Sequence, residues 1–289
     1  MENQYSALII DLKGSRKYPD DERSAIQKYW NKITKILNVI FADAMKFEVD
    51  FCGGDQVQGL FYRPEAAYLY YRLFSICTHP IQTHGGIGVG SCNIQLDGKN
   101  TGGQDGVAYH RARAASDLAD ADIGYPILFN SGNIDRDRTI NNLIGMAVLM
   151  ALRHTTRQNQ IMLLTGLLYP ISDEDILFDC ELMAGEINEL ILLKSEFDQN
   201  VENSKKKNLP LDDLKQLGEY PFTTSDKRKS GKRKNKTYFI TEGKGRGIPQ
   251  TLSDILGIYR QSIDTTLKTA DIFTIRNLSI AALEEMRRI

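Results

Sequence analysis

Two adjacent glycines, Gly53-Gly54, separate two apolar-rich runs and narrow the fold more than any other feature of the chain. Before them Phe47, Val49 and Phe51 alternate with Glu48, Asp50 and Cys52, and after them comes the run Val57 to Phe61. Alternation with a period of two is that of a half-buried strand, and a Gly-Gly pair accepts the positive φ angles of a tight connection, so a β-hairpin is expected here. Asp55 then sits at or just past the hairpin tip. With Val49 and Phe51 facing a core, the same period turns Asp50 to the opposite, solvated face.

A second strand signal comes earlier. Tyr5 to Leu12 is apolar except for one acid near its end and meets Gly14-Ser15, so it reads as a buried strand that delivers Asp11 at its carboxyl end. Between strand and hairpin, Ile26, Trp30, Ile33, Leu37 and Ile40 recur at spacings of three and four, which predicts an amphipathic helix over 22–43. Residues 64–78 read as a helix, 81–90 as a glycine-studded strand, 106–119 as an Ala- and Arg-rich helix, and 127–129 as a short strand. This order of strand, helix, hairpin, helix, strand, helix, strand suits an α/β (α+β) sandwich with an antiparallel element, related to the ferredoxin-like class.

At 289 residues the chain has length for about two domains. Strand signals fade after about residue 132, which divides the chain into an expected palm-type unit, 1–132, and a mainly helical unit, 133–289. In the second unit, helices are expected at 138–154 and 157–169. A charged stretch from about 195 to 247 reads as an insertion, and its part 227–246 holds nine Lys or Arg against one Glu. Solvated charge runs of this kind are expected to stay mobile.

Asp11 and Asp55 are 44 positions apart (55 − 11), and two such acids meet when one ends a strand and the other tips the neighbouring hairpin. Paired carboxylates are the oxygen ligands that Mg²⁺ takes together with substrate phosphates, and glycines beside them admit a triphosphate close to the backbone. A strand-end Asp can also serve only as a turn former or helix cap. Gly86, Gly88 and Gly90 are spaced by two and do not form G-x-G-x-x-G, and no stretch matches G-x-x-x-x-G-K-[ST], so Rossmann and P-loop nucleotide sites are set aside.

Four blocks in order resemble the SatD family. They are Ile9-Ile10-Asp11-Leu12-Lys13-Gly14-Ser15-Arg16, Gly54-Asp55-Gln56-Val57-Gln58-Gly59-Leu60, Gly86-Ile87-Gly88-Val89-Gly90 and Asp105-Gly106-Val107-Ala108-Tyr109-His110-Arg111-Ala112-Arg113-Ala114. The layout is more distantly similar to class III nucleotidyl cyclases and GGDEF domains, in which the first-strand Asp and the hairpin acid bind metal. That resemblance implies Asp11 and Asp55 as metal ligands and catalytic acids, and Mg²⁺ or Mn²⁺ as cofactor. It implies Gly14, Ser15, Arg16, Gly53, Gly54 and His110 as nucleotide-binding positions, His110 standing where the cyclases have Asn. Arg113, one residue off the usual cyclase spacing, is the implied catalytic arginine, since Arg111 lies on a different helix face. The chain departs from the pattern at Gln56, where an acid is usual, and at Val57, where a Phe is usual.

Toward the carboxyl end, residues 252–267 follow the rhythm of a helix-turn-helix, with Gly257 at the turn, so a unit is expected over about 251–270. Its second helix would present Arg260, Gln261 and Lys268 to DNA. A plain helical hairpin used for packing fits the same residues, and Asp264 and Asp271 suit a phosphate surface poorly. Residues 157–169 resemble the helix that usually precedes this motif.

The function expected is thus that of a metal-dependent nucleotide-binding protein, a cyclase or nucleotidyltransferase acting on a nucleoside triphosphate. The alternative is a DNA- or protein-binding regulator with a catalytically silent palm domain. Expected partners are the triphosphate, DNA, and a second copy of the chain in a homodimer. Four cysteines without C-x-x-C spacing indicate neither zinc nor a disulfide framework, and no run approaches the ~18 apolar residues of a membrane span. A cytoplasmic location is expected.

Overall fold

Strand β1 (Tyr5–Leu12) lies at the middle of a five-stranded sheet whose other members are β2 (Met45–Phe51), β3 (Gln56–Phe61), β4 (Thr83–Gly90) and β5 (Ile127–Asn130), in the order β2-β3-β1-β4-β5. The structure, a computed structural model, describes residues 4–92, 104–121, 124–171, 184–202 and 247–289. β1 pairs antiparallel with both β3 and β4, β2 pairs antiparallel with β3, and β5 joins β4 in parallel. With α1 (Asp20–Ile40) after β1 and α2 (Pro64–Thr78) after β3, the first four strands have the ferredoxin-like order of a palm. The fold is α+β, as expected.

The period of β1 sorts its side chains. Leu8, Ile10 and Leu12 join a core with α1 and α2, while Ala7 and Ile9 pack on the opposite face against Ala108, Tyr109 and Ala112 of α3 (Val107–Asp120). Helix α3 lies so close to β4 that only glycine fits beneath it. A Cβ on Gly86 would stand 2.1 Å from the Ala112 carbonyl oxygen, and one on Gly88 would stand 2.2 Å from the Ala108 oxygen. Both obstacles are backbone and cannot swing aside.

One expected feature of the hairpin changes. Phe47 does not share a face with Val49, because register shifts on both sides of Phe47 break the period; Val49 enters the α1–α2 core while Phe47 packs against the α3-side cluster. Asp50 is exposed, as its position in the strand requires.

Helix α2 is buried along its whole length from Glu65 to Thr78. It lies between the sheet and a second helical layer made of α4 (Ile134–Leu152), α5 (Thr156–Leu168), α6 (Ala184–Glu202), α7 (Ile248–Leu256), α8 (Arg260–Thr269) and α9 (Ile272–Met286). One cluster of buried side chains runs from Leu8 and Ile10 through Tyr68 and Phe74 to Leu252 and Leu283. The change of composition near residue 132 is therefore not a break in the core.

The charged stretch expected from about residue 195 begins later than expected, because α6 continues to Glu202 and buries Ser195 and Asp198. Lys194 donates to Asp198 at 2.6 Å and to the His79 carbonyl, and Gln160 donates to the other Asp198 oxygen at 3.0 Å. Phe197 stacks on Tyr29 of α1 with ring centroids 4.0 Å apart. Two charges one helical turn apart can enter a core when each meets the other and their remaining sites are bonded. Residues 203–246, including the basic run 227–246, lie outside the described residues.

Two outcomes are expected from this packing. Gly88→Ala forces a methyl group into helix backbone and should lower stability by about 1–3 kcal/mol or more, read as a lower denaturant midpoint; an unchanged midpoint would refute the close seat of α3. Burial, then the charges of Lys194 and His154, pushes His79 down to about 4. The unfolded chain takes that proton near pH 6.5 and the folded chain resists it, so stability is full above about 6.5 and declines to a floor below about 4. The loss is about 3 kcal/mol, and His79→Gln should reduce the slope measured by urea denaturation across that range.

Candidate functional site

At one end of the sheet, register brings three polar residues into a row. Asp11 pairs with Gln56 of β3 on one side and with His84 of β4 on the other. Partners in antiparallel strands point to the same face, and His84 has the parity of Gly86 and Gly88, which face α3. The row therefore lies on the α3 side of the sheet.

Arg113 reaches this row from α3. Its Nη1 donates to Gln56 Oε1 at 2.9 Å, and Gln56 Nε2 lies 3.5 Å from Asp11 Oδ2, while Asp11 Oδ1 accepts from the Leu12 backbone N–H at 2.8 Å. The amide of Gln56 thus offers its oxygen to a guanidinium and its nitrogen to a carboxylate. A glutamate at this position could accept from Arg113, but would repel Asp11. Arg111 points elsewhere and donates to the Val89 carbonyl at 2.6 Å, at the opposite end of β4 from His84.

The hairpin tip closes with a Cys52 N–H bond to the Gln56 carbonyl at 2.9 Å, and Gly53 and Gly54 take φ values of 78° and 72°. Nothing lies within 4 Å of a Cβ placed on either glycine, so this backbone faces open space. Asp55 is half-buried in the turn directly before Gln56. Given the Asp11–Gln56 register, its Cα is roughly 6–7 Å from that of Asp11. Beyond β1, Gly14 has a φ of 66° and leads into one 3₁₀ turn, Ser15–Lys17, in which Ser15 is half-buried and Arg16 exposed. His110 is on the surface of α3, 3.1 Å from Asp105, and makes no bond to the Asp11 row.

Among the described residues, no group of three or more His, Cys, Asp or Glu side chains could hold a metal. Asp11 and Asp55 supply two carboxylates, the number with which Mg²⁺ is commonly bound when water and substrate phosphates complete its shell. The donor set fits such an ion only together with a substrate.

In the helical layer, α7 and α8 meet at Gly257, whose φ is 61°, and Ser253 Oγ donates to the Ile258 carbonyl at 2.6 Å. Ile263 and Leu267 are buried, Arg260, Gln261 and Lys268 are exposed, and Lys268 pairs with Asp264 at 2.6 Å. An open polar groove of about 460 Å³ separates α8 from the start of α5, between Gln261 and Thr265 on one side and Thr155, Arg157 and Gln158 on the other.

The model of the SatD family matches residues 5–205. The chain belongs to the SatD family. The matched region of this SatD-family chain contains the whole sheet and ends beyond α6, so α7, α8 and α9 lie outside it. No curated protein matches the chain. Among solved structures, a bacterial light-regulated adenylyl cyclase is similar at 20% identity, over 45% of this chain and 76% of that one, with a TM-score of 0.32. Strand order and pairing, and not this distant likeness, carry the palm assignment.

His84 was not among the residues singled out in the sequence. Strand period alone would have put it on the face of Gly86, but its place beside Asp11 depends on the β1–β4 register.

Proposed function

We propose that the palm site binds a nucleoside triphosphate together with Mg²⁺ or Mn²⁺ and acts as a nucleotidyl cyclase or nucleotidyltransferase. The observation that carries this reading is the end of the sheet where Asp11 on β1 stands beside the turn that holds Asp55 and opens β3, with Arg113 above and open glycine turns at Gly14 and Gly53-Gly54 beside them. In this reading Asp11 and Asp55 hold the cation against the phosphates. Arg113 meets negative charge on the phosphate chain, kept in place by Gln56, and Ser15 and Arg16 approach the same phosphates. His110 would contact the ribose after leaving Asp105. The cation, when bound, supplies charge neutralisation and activation of an attacking hydroxyl.

Incubation with each nucleoside triphosphate and Mg²⁺ or Mn²⁺ should yield pyrophosphate, with a cyclic product for a cyclase. Asp55→Ala is expected to remove this turnover with the melting temperature in cation-free buffer kept, because loss of one of two neighbouring acids relieves repulsion. Divalent ions with triphosphate should raise the melting temperature of the wild type and leave that of the Asp11→Ala, Asp55→Ala double variant unmoved. Binding and turnover that survive both substitutions would refute the assignment.

A second reading, a DNA-binding regulator with a silent palm, is favoured by two observations: Gln56 in place of an acid, and the exposed Arg260, Gln261 and Lys268 on α8. In that case Arg260→Ala and Lys268→Ala should each weaken duplex binding and flatten its dependence on salt by about one unit of slope. The check is a salt titration of the full chain on duplex DNA. No binding at low salt would leave α7 and α8 with a packing role.

A further inference from the structure

Away from the palm site, two arginines are buried together with no acid beside them among the described residues. Arg72, on α2, is 7% exposed, and Arg276, on α9, is 6% exposed. Arg276 donates to the carbonyls of Tyr169 and Pro170 at 2.5 and 3.3 Å. Among the described residues Arg72 makes no hydrogen bond, and the Nε atoms of both arginines are buried without a partner. Among the described residues no carboxylate forms an ion pair with either guanidinium.

Among the described residues the surroundings offer neither charge a counter-ion. Tyr68, one turn before Arg72, is bonded to Ser279 at 2.9 Å, and Ser279 in turn donates to the Ile275 carbonyl, so these hydroxyls are committed to each other. On the side of α5, Gly166 faces Arg72. A Cβ on Gly166 would have only the Arg72 Nη1 near it, at 3.6 Å, so the helix presents no side chain to that nitrogen. Burial holds Arg72 below the ordinary arginine value, and burial with the charge of Arg72 brings Arg276 down to about 10. Two guanidiniums that disfavour each other's charge are costly to bury, and a buried Nε without an acceptor adds to that cost.

We propose that Arg72 and Arg276 form an internal binding site for a tetrahedral oxyanion of the phosphate class, between α2, α5 and α9. The planar fork of Arg72 matches such an anion, and one bound anion would neutralise both charges and offer acceptors to the Nε donors of the two arginines. The ligand is either free inorganic phosphate or the phosphate end of a nucleotide. This site is separate from the palm site, which faces α3 on the other side of the sheet, and does not depend on the palm's activity.

The test is thermal melting of the full chain in chloride, in inorganic phosphate and in adenosine 5′-monophosphate, at matched ionic strength. At about 10 mM ligand the wild type is expected to gain about 3 °C. A gain from inorganic phosphate assigns the free ion, and a gain from the nucleotide alone assigns a larger ligand. Arg72→Met should lose either gain and, in chloride, melt no lower than the wild type, because an apolar side chain of similar length removes an unpaired buried charge. Should Arg72→Met fail to fold, calorimetric titration of the wild type and of Arg276→Met with inorganic phosphate and with the nucleotide decides in its place. A wild type that neither gains stability from nor binds either ligand, or an Arg72→Met variant that keeps the full gain, would overturn the proposal.

Discussion

The seat of α3 on β4 is the contact on which the palm site depends. Gly86 and Gly88 remove the side chains that would hold the helix off the sheet, and the backbone of Ala108, Ala112 and Ser116 comes down onto the strand. At this separation Arg113 can reach across to Gln56 on β3. One added methyl group on β4 would lift α3 and carry the guanidinium out of reach, so two residues without side chains set the position of Arg113 over the sheet.

Gln56 is the second determinant of the site. It stands between a carboxylate and a guanidinium, and an amide satisfies both where an acid could satisfy one. The substitution of an acid by Gln56 therefore alters the site in a defined way. It removes one candidate metal ligand and lessens repulsion near Asp11, while Arg113 keeps its acceptor on the sheet.

The helical layer is held to the palm by α2, which is buried along nearly its whole length and has no solvent face on which to place its polar groups. Nearly all of them are met internally. Tyr68 bonds to α9, Tyr70 to Asn38 of α1 and Tyr71 to the Pro126 carbonyl. On α6, Lys194 and Asp198 neutralise one another inside the core and fix that helix to the end of α2 through the His79 carbonyl. Among the described residues, only Arg72 on this helix lacks a counterpart.

Local periods were legible in the sequence: the strands around Asp11 and Gly53-Gly54, the helix 64–78, the glycine-studded strand and the turn at Gly257 follow from side-chain alternation, helical spacing and positive-φ glycines. These depend on neighbours two to four residues away, and any reader of the chain can recover them. Tertiary structure alone decided the rest. The sheet register put His84 and Gln56 beside Asp11, the irregular pairing of β2 turned Phe47 to the α3 side, and α6 drew Ser195 and Asp198 into a core that their charged surroundings did not announce. Arg72 and Arg276, 204 positions apart (276 − 72), meet only because α2 and α9 pack together. Such placements are set by which surfaces meet across the fold, and no short-range pattern encodes the shape of a distant partner.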